Sequence, residues 1–84
     1  MRFEVKTFKV GTPKDGAKKI PEEAAEAFAE WVALNGSLVS STKLADELAD
    51  CIQACCNLAA RYDIDMEAAM RRCEVRNRAR GRYE

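Results

Sequence analysis

Histidine is absent from the 84 residues, and this one absence removes imidazole general bases, Ser-His and Cys-His nucleophile pairs, and zinc sites built on His. No GxxxxGK[ST] phosphate loop occurs either. Any catalysis must therefore rest on carboxylates, Lys, Arg or thiols. No stretch approaches the roughly 18 apolar residues of a membrane span, and the N-terminal residues lack the apolar run of a signal peptide. The expectation is a cytoplasmic protein with no membrane partner. Aromatic residues are scarce at 7% although 48% of the chain is hydrophobic, an alanine-rich balance that suits packed helices. There are four cysteines, and Cys51, Cys55 and Cys56 fall within six residues on one expected helix. Together with Cys73 they read as reduced, core-filling thiols rather than disulfides. The lack of a CxxC pair argues against a thiolate metal site.

Net charge is zero, yet the charges are sorted along the chain. Residues 1–20 carry six Lys or Arg against two acids, and residues 71–84 carry six Arg against two acids. From Glu22 to Glu67 there are ten acids with only Lys43 and Arg61 to offset them. An acidic middle between basic ends suggests a cation site beside an anion site. A chain this short makes one domain with one modest core, so oligomerisation is expected.

Periodicity predicts an all-α, three-helix domain spanning 1–84, preceded by an extended segment at 1–16. Met1, Phe3 and Val5 alternate with polar residues as in a short strand, and Gly11–Gly16 reads as a turn-rich break. Helix one is expected over 17–34, with Ala24, Phe28, Trp31 and Val32 at helical spacing, Pro21 in or near its first turn, and Asn35-Gly36 as its stop. The polar linker Ser37–Thr42 ends in residues able to cap helix two, expected over 42–62 with a stripe of Leu44, Leu48, Cys51, Cys55, Leu58 and Tyr62. Asp65 is a suitable N-cap for helix three at 65–78, and 79–84 form an Arg-rich tail.

Carboxylates cluster on the first two helices. Glu23, Glu26 and Glu30 share a face of helix one, and Glu47 and Asp50 lie one turn apart on helix two beside Cys51 and Ala54. Like charges at this spacing repel, and packing the two helices together sharpens the repulsion unless a cation joins them. Mg²⁺ suits such a site because it takes carboxylate oxygens and leaves positions for water and phosphate. The plainer expectation is that Glu23, Glu26 and Glu30, opposite Phe28 and Val32 on a helical wheel, form an ordinary solvated face unless a second subunit covers it.

Glu22, Glu23 and Glu26 followed by Glu47 and Asp50 resemble the EExxE and ExxD motifs of the MazG-like all-α nucleoside triphosphate pyrophosphohydrolases. The surrounding Lys19-Ile20-Pro21-Glu22-Glu23, the run LADELADCIQ, and Asn77 followed by Arg80-Gly81 extend the resemblance over roughly residues 17–83. Pro21 departs from the apolar helical residue common there, and Cys73 stands where Lys is frequent. The resemblance implies that Glu23, Glu26, Glu47 and Asp50 bind Mg²⁺ and carry catalysis. It implies a reaction that cleaves a nucleoside triphosphate to the monophosphate and pyrophosphate, in a homodimer or homotetramer with helices one and two at the centre of a bundle. Phosphoribosyl-ATP pyrophosphohydrolase shares the acidic pattern and is an alternative. A non-catalytic helical interaction module of the same fold is another.

Helix three supplies the anion side of the expectation. The stripe Met66, Met70, Cys73 continues to Asn77 and Arg80, polar groups that need partners if they face inward. Asn77 and Arg80 are thus candidates for holding phosphate, joined by Lys19 in the mechanism the resemblance implies; Trp31 and Phe28 read first as core, though Trp31 at the edge of the acidic face is a candidate for touching a nucleobase. Arg residues that merely solvate the C-terminus and complement the helix dipole are the plainer reading. A nucleic-acid-binding tail is a further alternative that salt dependence would reveal, but nucleic acid is not the expected partner.

Overall fold

The computed structural model describes residues 3–84 and contains three helices with no strand among them: α1 Pro13–Ala33, α2 Thr42–Arg61 and α3 Met66–Ala79. None is long and apolar enough to cross a membrane.

Helix α1 starts four residues earlier than its hydrophobic spacing suggests. Thr12 is its N-cap, the Asp15 N–H donates to Thr12 Oγ1 (3.2 Å), and Asp15 Oδ2 accepts from the Thr12 N–H (2.8 Å). This closed capping box, with Pro13 at the first helical position, turns GTPKDG from a break into a start. The Thr12 backbone N–H, and then the Thr12 side chain, hold the Asp15 carboxyl below its usual range. Pro21 consequently sits well inside the helix rather than in its first turn.

The other boundaries follow the caps. Asn35 and Gly36 adopt positive φ and end α1, and Ser41 caps α2 by accepting from the Leu44 N–H. Helix α2 closes with Ile64 N–H bonded to Ala59 O and Asp63 N–H to Ala60 O, a Schellman motif with Asp63 at positive φ. Asp65 caps α3 through the Ala68 N–H. The same motif ends α3, where Gly81 takes the left-handed position (φ 73°) and Arg82 N–H reaches Asn77 O.

Helices α1 and α2 form an antiparallel hairpin. Its register is fixed by Gly16, where an added Cβ would lie 3.9 Å from Leu58, and by Glu23 and Glu26 opposite Glu47. The buried apolar residues are all small: Ala27, Ala54 and Ala59. This alanine seam lets the helices approach closely but removes little apolar surface from water.

The facing of α1 inverts the expected wheel. Glu23 and Glu30 are half-buried toward the hairpin, whereas Phe28 (65% exposed), Trp31 (56%) and Val32 (53%) point outward. On α2, Leu44, Cys51 and Leu58 of the expected stripe are half-buried, but Leu48, Cys55 and Tyr62 are exposed. The true contact face of α2 is rotated toward Glu47 and Ala54. All four cysteines are free thiols, with Cys55 outside the core.

The expected N-terminal strand does not form over residues 3–10, and Met1 lies outside the described residues. Instead, residues 6–11 run as a strap along the second half of α2. Gln53 Nε2 donates to Lys6 O (2.8 Å), the Phe8 N–H donates to Asn57 Oδ1 (3.0 Å), and Arg61 donates to Gly11 O (2.8 Å). Eight helical residues rise about 12 Å, less than the roughly 17 Å that five fully extended residues span, so the strap follows the helix without being drawn taut. Side chains of α2 take the place of a partner strand.

Candidate metal centre

Half-buried Glu23 and exposed Glu26 stand along the edge of α1 nearest α2, and half-buried Glu47 stands opposite them. One carboxylate oxygen from each lies within 4.8 Å of the others. The Glu23 side chain is only 13% exposed and pairs with Lys19 Nζ at 3.2 Å, but that ammonium is shared with Glu22 at 3.3 Å. Lys19 is held charged by Glu23 and Glu22, its pKa raised above the ordinary value. Within the trio only Glu23 has a paired cation, and that cation is divided with Glu22.

Two observations show that this charge is uncompensated. Glu47 Oε2 is buried and accepts no hydrogen bond, although a buried carboxylate oxygen ordinarily has a partner. The Glu26 carboxyl is raised above its ordinary range, first by the charge of Glu23 and then because a protonated Glu26 can hydrogen-bond to Glu23 and Glu47. Proton or metal ion is the natural remedy for such crowding. The Cys51 thiol, half-buried below the cluster, is raised by burial first and then by Glu23, Cys55, Glu47 and Asp50, so it stays protonated.

A hard divalent cation fits the donor set. All three residues offer carboxylate oxygens from two different helices, and Glu47 carries one buried oxygen without a partner; an all-oxygen set of this kind suits a hard ion such as Mg²⁺ over softer ones.

Asp50 is not part of this trio. It lies one turn further along α2, exposed, on the rim of a groove of about 200 Å³ that also touches Lys19, Glu23, Gln53 and Asn57. Glu23 belongs both to the groove and to the carboxylate cluster, so the two are continuous.

The expected substrate residues divide. Lys19 is at the site. Trp31 stacks on Phe28, centroids 5.8 Å apart, on the outward face of α1. Asn77 and Arg80 are carried by α3, and α1 with α2 is the only helix pair in extensive contact among the described residues. Asn77 Nδ2 donates to Cys73 Sγ at 3.5 Å, and Arg80 is exposed as the C-cap of α3. No hydrogen bond or ion pair among the described residues links either to the carboxylates. Two of the six arginines are paired along α3, Arg71 with Glu67 and Arg78 with Glu74.

Sequence reasoning passed over Gln53, Asn57 and Arg61. Their signal is present in CIQACCNLAAR: polar amides four residues apart interrupt an otherwise apolar helix, and such groups are buried only when bonded. Asn57 is 4% exposed. No family model, curated protein or solved structure matches the chain, so the case for its chemistry rests on the residues themselves.

Proposed function

We propose that the protein is a Mg²⁺-dependent nucleotide pyrophosphohydrolase that converts a nucleoside triphosphate to the monophosphate and pyrophosphate. The observation that carries this reading is the trio of Glu23, Glu26 and Glu47 with the buried, unpartnered Oε2 of Glu47. The resemblance to the MazG-like motif pattern supports the same chemistry and would add Asp50, which stands one turn from Glu47 outside the trio.

Glu23, Glu26 and Glu47 would hold the cation, with Asp50 at its outer edge. A bound Mg²⁺ supplies charge stabilisation for the phosphoryl oxygens and a more acidic water. The chain's own residues do the remaining work. Lys19 fixes Glu23 and offers a positive charge on the groove side. The buried Oε2 of Glu47 is the donor least screened by solvent.

Asn77 and Arg80 would meet the phosphates only by approach of α3, and a second copy is the natural source. The outward Phe28, Trp31 and Val32 and the lightly packed α3 support a homodimer, in which apolar surface left by a three-alanine core is covered. Turnover of a nucleotide by the wild type, lost in Glu47→Gln together with the Mg²⁺-dependent rise in melting temperature, tests the proposal. A melting curve indifferent to millimolar Mg²⁺ would count against the centre even where turnover is seen.

A further inference from the structure

We infer that the groove between the N-terminal strap and α2 is a nucleobase subsite, read by the free carbonyl of Gln53 and the free amino group of Asn57. The assignment begins with hydrogen-bond accounting. The Phe8 N–H can only donate, so the Asn57 atom it meets at 3.0 Å must be the carbonyl Oδ1. The Lys6 carbonyl can only accept, so the Gln53 atom 2.8 Å away must be Nε2. The same Nε2 also donates to Asn57 Oδ1 at 2.8 Å. These three bonds occupy both hydrogens of Gln53 and both lone pairs of Asn57 Oδ1. Gln53 Oε1 and Asn57 Nδ2 are left without partners among the described residues.

Both residues line the groove of about 200 Å³, whose apolar walls include Phe8 and Val10. Asn57 is 4% exposed, and a donor held in so buried a residue has only the groove to turn to. The groove thus has one free acceptor and one free donor in its lining, which call for a ligand that carries both a donor and an acceptor. Pyrimidines and purines present such an edge on their Watson-Crick side and add a flat apolar ring for the walls of Phe8 and Val10; a ribose diol also donates and accepts but has no such ring, and phosphate brings mainly acceptors. The volume lies below the roughly 300 Å³ at which pockets take whole drug-sized ligands. One ring system fits, not a complete nucleotide.

The position agrees with the chemistry. Glu23 is shared between groove and carboxylate trio, so a base held by Gln53 and Asn57 directs its sugar and phosphates along the groove toward the acids. Asp50 on the rim is placed for a sugar hydroxyl. This orientation rests on the pyrophosphohydrolase reading. The base contact itself does not.

Saturation-transfer NMR of the full chain with cytidine, uridine, adenosine and ribose, in the absence of Mg²⁺, separates the two claims because neither metal nor turnover is involved. The expected result is transfer to base protons of at least one nucleoside at millimolar concentration, and none to free ribose. Asn57→Asp keeps the two acceptor bonds to Phe8 and Gln53 but replaces the free donor with an acceptor. It should weaken that nucleoside about tenfold or change which base is preferred, since losing one buried hydrogen bond to a ligand has effects of this order. Gln53→Met, near-isosteric and free of buried charge, serves if the Asp variant melts early, and should lower base transfer similarly. Equal transfer to ribose and nucleosides, absence of nucleoside binding, or base contact unaltered in both folded variants would overturn the subsite. None of these results bears on hydrolysis, which is assayed separately.

Discussion

The difference between Asp46 and Glu47 is one residue in sequence and 100° around a helix. Glu47 points into the hairpin while Asp46 is exposed, as their angles on α2 relative to Cys51 and Ala54 suggest. Glu47→Gln should therefore abolish pyrophosphate release and leave the metal-free fold as stable as before or more so, because it removes a charge from a repulsive trio. Asp46→Asn should retain activity within about twofold, as exposed surface changes generally do. Steady-state rates and urea unfolding of the two variants check both statements. Glu26 adds a pH signature. Its folded-state pKa is raised above the ordinary 4.5, so the stability contributed by its proton is fully present below that value and lost as pH rises through the raised one. Asp15 acts oppositely: its lowered pKa gives stability present above its ordinary 3.8 and lost as pH falls through the lowered value. Melting temperature without divalent cation should thus be highest at mildly acidic pH and decline toward neutrality. Millimolar Mg²⁺ should remove that decline, and a pH profile unchanged by Mg²⁺ would separate Glu26 from any metal.

Among the elements, α2 and α3 were legible because their caps and stops lie where the hydrophobic period begins and ends. Ser41, Asp65 and Asn35-Gly36 needed no tertiary information. The start of α1 was hidden because Gly and Pro dominate GTPKDG, and the reciprocal bonds of Thr12 and Asp15 outweigh that composition. Gly11 completes the cap. It has φ +48°, and a Cβ there would collide with the Asp15 carboxylate. Gly11→Ala should cost about 1–2 kcal/mol in chemical denaturation, the usual penalty of a left-handed backbone for a residue with a side chain. Pro21 makes the opposite prediction. Deep in α1 it donates no backbone hydrogen bond, so Pro21→Ala should stabilise by about 1–3 kcal/mol. No gain in urea midpoint would mean that the surrounding helix has already adapted to the ring. The strap was misread for a physical reason as well. Alternation in MRFEVKTFKV indicates extended backbone but not what satisfies it, and here the partners are amides forty-seven and forty-nine residues away.

For the molecule as a whole, the radius of gyration is 14.8 Å, where a compact chain of this length would give about 12 Å. The excess belongs to an open shape in which α3 stands away from a thin hairpin and Phe28, Trp31 and Val32 face solvent. Which side of α1 turns inward was not legible from its wheel, because acids and apolar residues form two competing faces and only the small-residue seam of Gly16, Ala27 and Ala54 decides between them. A protein of this shape should be a dimer or larger by light scattering at micromolar concentration, and Trp31→Glu should shift it toward monomer. A monomeric wild type would leave the outer face of α1 unexplained and Asn77 and Arg80 without a route to the site. The central claim is more direct than any of these: carboxylates of α1 and α2 hold Mg²⁺ against the phosphates of a nucleotide. Incubating the protein and Mg²⁺ with each of the eight common nucleoside triphosphates and following products by ³¹P NMR tests it in one measurement. The expected products are a nucleoside monophosphate and pyrophosphate from at least one of them, with no turnover in Glu47→Gln. A diphosphate with inorganic phosphate, or no product from any of the eight, would contradict it.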